Sequence, residues 1–126
     1  MKSLTMLKEK LDRVLERFKR GERKGLVLTM LAASRLSDKG EKISPDNIVK
    51  EAHKIMDEAP DVDWGVTRQE YTVGLASSLL QELVEMGVLE ETNTTIYRFR
   101  RYPEGDPKAE ILARFGYLIF YGGPAR

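Results

Sequence analysis

Between Lys24 and Leu36 the chain carries Leu26, Val27, Leu28, Met30, Leu31, Ala32, Ala33 and Leu36, which at helical periodicity cover nearly the whole circumference of one helix. Such a helix cannot lie on a surface. It has to be surrounded, and the rest of a 126-residue chain must supply the elements that surround it. A chain of this length supports one hydrophobic core, so a single domain over residues 1–126 is expected.

The flanking segments read as the wrapping. Leu4, Leu7, Leu11, Val14 and Phe18 recur at spacings of three and four and predict an amino-terminal helix with one narrow apolar seam, closed near Gly21. Ser44-Pro45-Asp46-Asn47 is a helix start: a side-chain acceptor for orphan amides, a proline with its φ preset, and a carboxylate at the positive end of the dipole. Its inner stripe is Ile48, Val49, Ala52, Ile55, Met56 and Ala59, and Pro60 stops it. Thr67-Arg68-Gln69-Glu70 matches a capping box and predicts a long helix from Thr67 through Leu79, Leu80 and Leu83 to a left-handed cap at Gly87. Two strand-like stretches follow, Val88 to Glu91 and Thr95 to Arg101, joined by Thr92-Asn93-Thr94 as a hairpin. Asp106-Pro107 opens a last helix with Ile111, Leu112, Phe115, Leu118, Ile119 and Phe120, apolar almost all round. The expected fold class is mainly α with a small β-hairpin: a core at 24–102 with flanking helices at 1–20 and 107–121.

Charge is segregated along this order. Residues 1–24 hold nine Lys/Arg against four Asp/Glu, residues 25–96 hold six against thirteen, and residues 97–126 hold six against three, so basic ends flank an acidic middle. A polyanion would have to be met by the ends. The lack of cysteine excludes disulfides, thiolate metal clusters and cysteine nucleophiles, and a single histidine leaves little for zinc or a serine–histidine relay. His53 and Asp57 lie four apart on one helix without further ligands, which reads as a helical ion pair and not a metal site. No enzyme activity and no cofactor are expected. No apolar run spans a bilayer and Met1-Lys2-Ser3-Leu4 opens no secretory signal, so a cytoplasmic protein without membrane contact is expected. Heavy Lys/Glu/Arg usage without cysteine matches thermophile composition.

From Lys24 to Tyr102, three helices precede a β-hairpin, and the third helix leaves through Leu83-Val84-Glu85-Met86-Gly87-Val88-Leu89. This resembles a winged helix, in which a leucine-rich recognition helix stops at glycine and enters the wing. More narrowly, the block is similar to the carboxy-terminal winged-helix domain of archaeal origin-recognition and cell-division-control initiators. A small archaeal or viral transcription regulator fits equally well. The nucleotide-binding module of those initiators has no counterpart, since Gly21 and Gly25 are followed by Leu26-Val27 and not by a phosphate-binding lysine. The resemblance implies a winged helix-turn-helix that binds double-stranded DNA in transcription or replication.

On that reading Arg68, Gln69 and Thr72 fall in the first turns of the recognition helix, near base edges and phosphates. The alternative is that they are solvated residues beside a capping box, because Glu70, Glu82 and Glu85 make the helix acidic. Arg98, Arg100 and Arg101 interleave with Tyr97, Phe99 and Tyr102, so that Tyr97 and Phe99 anchor inward while Arg98 and Arg100 share the outer face. The alternative is an edge strand guarded by charge. Arg23 and Lys24, with Lys19 and Arg20, extend the same basic footprint on this reading; the alternative is a solvated charge run at a helix end. Trp64 is expected to cover the core.

The apolar terminal segments exceed what a core of about 80 residues covers. They pack on each other within one chain or pair across a two-fold axis, and a homodimer through Leu4, Leu7, Leu11, Phe18, Ile111, Phe115, Leu118 and Ile119 is the favoured expectation. The rival to DNA binding is a winged-helix protein-interaction module that docks a basic or helical partner on the acidic middle segment.

Overall fold

The computed structural model describes residues 6–20, 25–102, 105 and 110–111. Four helices, α1 (Met6–Lys19), α2 (Leu26–Asp38), α3 (Pro45–Glu58) and α4 (Val73–Glu85), precede two strands, β1 (Leu89–Asn93) and β2 (Ile96–Phe99). The protein is thus mainly helical with a small antiparallel hairpin. Among the described residues no helix is long and apolar enough to cross a membrane.

As its circumference requires, α2 is the centre: ten of its thirteen residues, Leu26 to Ser34 and Leu36, are buried. Its start depends on Gly25, whose φ of 86° lies in the left-handed region, where a β-carbon would also crowd Leu79. The Gly25 amide donates to the Trp64 carbonyl at 3.2 Å, and its own carbonyl accepts both the amide and the hydroxyl of Thr29. Trp64 is buried in the core, as expected. On α3 the start signals act as read, with the Ser44 side chain accepting from the Asn47 amide and Pro45 in the first turn. Ile48, Ala52 and Ile55 are fully buried against α2 and α4.

The expected long helix from Thr67 is corrected. Thr67 and Glu70 do exchange their two capping bonds, Thr67 N to Glu70 Oε1 at 2.8 Å and Glu70 N to Thr67 Oγ1 at 3.2 Å, but they close one isolated turn. The chain then extends through Tyr71 and Thr72, and α4 starts afresh at Val73 with Thr72 accepting from the Leu75 amide. The cause is tertiary. Tyr71 is fully buried and its hydroxyl meets that of Thr29 on α2, a contact that takes the place of a continuous helical turn.

The hairpin pairs Leu89 with Phe99, Glu90 with Arg98, Glu91 with Tyr97 and Asn93 with Ile96, with an irregularity between Glu91 and Asn93. Its turn is centred on Thr94–Thr95, slightly beyond the expected Thr92–Thr94. Thr95 has a φ of 62°, rare for a β-branched residue, and its amide donates to Glu91 Oε2. A third extended piece joins the hairpin: Ile43, between α2 and α3, bridges antiparallel to Tyr97, whose amide donates to the Ile43 carbonyl at 2.9 Å.

Leu11 and Val14 of α1, and Ile111, are fully buried in the same core. Leu11 and Ile111, expected at a two-fold seam, are therefore covered by their own chain, which is the packing-in-cis alternative at those two positions. Arg17 on α1 reaches Glu82 on α4. The side chains of Leu7 and Phe18, together with Leu4, the Gly21 cap, Phe115, Leu118 and Ile119, lie outside the described residues. Of the last expected helix, only residues 110 and 111 are described, and both are helical.

Candidate nucleic-acid interface

The inner face of α4 carries Ala76, Leu79, Leu80 and Leu83, all buried, which turns Val73, Gly74, Ser78, Gln81 and Glu85 outward. Val73, 46% exposed, is the one large apolar side chain left open among the described residues. Gln81 fixes the helix to the hairpin: its amide donates to the Tyr97 hydroxyl at 2.8 Å and lies 3.5 Å from Glu91 Oε1. At the far end, the Gly87 carbonyl accepts from the Tyr102 hydroxyl. The hairpin is thus held against α4 at both ends.

Alternation along β2 falls as its sequence predicts: Tyr97 is buried and Phe99 half-buried, while Arg98 is exposed. Arg100 and Arg101, just past the end of β2, are exposed as well. Arg98 is 67% exposed and its Nε meets Glu90 Oε2 directly across the strand pair. Among the described residues no carboxylate pairs with Arg100 or Arg101. Glu91, one position on from Glu90, turns the other way and is taken up by Gln81 and the Thr95 amide.

Arg68 and Gln69 sit elsewhere than expected. Both belong to the isolated turn before α4, so neither lies in the first turn of that helix. Arg68 is engaged: its Nη1 donates to Asp57 Oδ1 and approaches the His53 carbonyl at 3.4 Å. His53 Nε2 lies 3.1 Å from the Arg68 carbonyl, and its ring meets Tyr71 edge to face. The expected His53–Asp57 ion pair is replaced by this clamp, because the turn brings a stronger cation to Asp57 than the imidazole. Gln69 is exposed, and Thr72 stands at the α4 amino terminus with its hydroxyl used as the cap. Arg23 and Lys24 lie outside the described residues. No group of three His, Cys, Asp or Glu side chains that would hold a metal occurs among the described residues.

The charge that sequence reasoning missed is Glu51. It is 2% exposed between α2 and α3, with Lys39 Nζ 2.8 Å from Oε1 and Arg35 Nε 2.9 Å from Oε2. Arg35 continues to Glu58 through a two-pronged contact at 3.0 and 2.8 Å. These bonds hold the Glu58 carboxyl below its ordinary range and the Arg35 guanidinium above its own. The signal was available: Glu51 falls in the inner stripe beside Ile48, Ala52 and Ile55.

No protein-family model, no curated protein and no solved structure matches this chain.

Proposed function

We propose that the protein is a winged-helix DNA-binding protein acting without covalent chemistry, a regulator of transcription or replication. The order α2, Ile43, α3, α4, β1, β2, with Ile43 bridged to the second hairpin strand, supports the winged-helix assignment. On this assignment α4 is the recognition helix and the hairpin is the wing. The 14-residue span between α3 and α4 is longer than the short turn of a simple helix-turn-helix.

One observation carries the functional reading: the wing turns three arginines outward, and Arg100 and Arg101 meet no carboxylate among the described residues. A guanidinium held outward at the base of the hairpin matches the phosphate oxygens of a duplex. The outer face of α4 contributes differently. Gly74 and Ser78 allow close approach, Val73 offers an apolar contact of the kind that meets a thymine methyl, and the helix amino terminus favours phosphate. Affinity then comes mainly from the wing, and base discrimination from uncharged groups on α4.

Titration with a mixed-sequence duplex at several salt concentrations tests this. Replacing both Arg100 and Arg101 by Ala is expected to weaken binding about tenfold or more at low salt and to reduce the slope of log K against log salt by about two. An unchanged slope, or no binding by the parent protein, overturns the reading.

A second reading, a winged-helix protein-interaction module, is favoured by a different observation. From Val73 to Glu85, α4 has no lysine or arginine and carries Glu82 and Glu85. A basic partner captured equally by the parent and the doubly substituted protein would support it.

A further inference from the structure

The wing arginines are not equivalent in the free protein. Arg98 faces Glu90 across the antiparallel pair, and its Nε edge, half of the fork that would grip a phosphate, is taken by that carboxylate. Arg100, just beyond the end of β2, is exposed without such a partner among the described residues. Glu91 does not compete in the same way, because its two oxygens already face Gln81 and the Thr95 amide.

We infer that Glu90 is an intramolecular competitor for nucleic-acid phosphate: it holds Arg98 in the free protein and is displaced when a duplex binds. The inference rests on the DNA-binding reading above and adds to it a residue that limits affinity. The geometry suits an exchangeable contact. Both side chains are substantially exposed, and exposed pairs of this kind are held weakly, so a phosphate can take the place of the carboxylate. Displacement has a cost that persists in the complex, because Glu90 stays beside the phosphate it gave way to and repels it. Removing its charge therefore strengthens binding in two ways, by releasing the Nε edge and by removing the repulsion.

The test is a double-mutant cycle with a mixed-sequence DNA duplex as the probe, comparing the parent, Glu90→Gln, Arg98→Ala and the double variant. Thermal melts of the free proteins check that all four fold alike. Glu90→Gln is expected to tighten binding about three- to tenfold at low salt. In the Arg98→Ala background the same substitution is expected to gain less than about twofold. An equal gain in both backgrounds overturns the inference, since Glu90 would then act only as diffuse negative charge. No gain while the parent still binds also overturns it and leaves the DNA reading standing. Absence of duplex binding by both the parent and Glu90→Gln sinks the two together.

Discussion

Arg35 and Arg98 each meet a glutamate, yet the two contacts do different work. Glu51 lies between α2 and α3 at 2% exposure and is met by Arg35 and Lys39, whereas Glu90 and Arg98 lie in the open on the hairpin. In the first place water is excluded, so the carboxylate depends on its cations for everything it lost on burial. In the second, solvent offers each partner a substitute, and so does a phosphate. The same pair of residue types thus fastens one end of the molecule and leaves the other open to exchange.

Arg35→Ala should give the largest effect. It leaves the 2%-exposed Glu51 carboxylate to Lys39 and takes the two-pronged contact from Glu58, and a loss of about 2–4 kcal/mol is expected, read as a lower denaturation midpoint with an unchanged m-value. A loss as small as that at an exposed pair would erase the distinction between the two sites.

Tyr71→Phe comes next, at about 1–2 kcal/mol, because it removes the buried hydroxyl contact with Thr29 that displaces the start of α4. Burial raises the Tyr71 pKa above its ordinary 10.0, partly offset by the Thr29 bond. The folded state therefore favours the neutral phenol. Parent stability should be full below pH 10.0 and fall as pH rises through the raised value, a dependence the phenylalanine variant lacks.

At the acid end the sign reverses. The hydrogen bond from Arg35 lowers the Glu58 pKa below 4.5, so its contribution is present above that pH and is lost as pH falls through the folded-state value. Glu58→Gln should flatten the stability profile in that acid window, and equal slopes would argue against the contact in solution. The smallest effect belongs to the hairpin: Glu90→Ala should change stability by less than about 1 kcal/mol.

The sequence made some of this plain. The all-round apolarity of Leu26 to Leu36 marked the centre, and Ser44-Pro45-Asp46 marked the start of α3, because both signals are local. The start of α4 was not legible. Two threonine caps, Thr67 and Thr72, compete, and the choice is made by Tyr71 reaching Thr29 more than forty residues earlier. The misplacement of Arg68 and Gln69 follows from that one error. Alternation placed Arg98 of β2 on the outside, but its carboxylate partner depended on strand register. That register rests on a left-handed Thr95, which residue type does not announce. Periodicity likewise showed that Leu11 needed covering without showing that its own chain covers it.

The most direct test of the central claim is amide chemical-shift mapping of the labelled protein during duplex addition. The account predicts the largest changes from Thr92 to Arg101 and from Thr72 to Ser78, with Arg35, Lys39 and Glu51 unmoved. Shifts centred on the α2–α3 ion network, with the hairpin silent under saturating duplex, would contradict it.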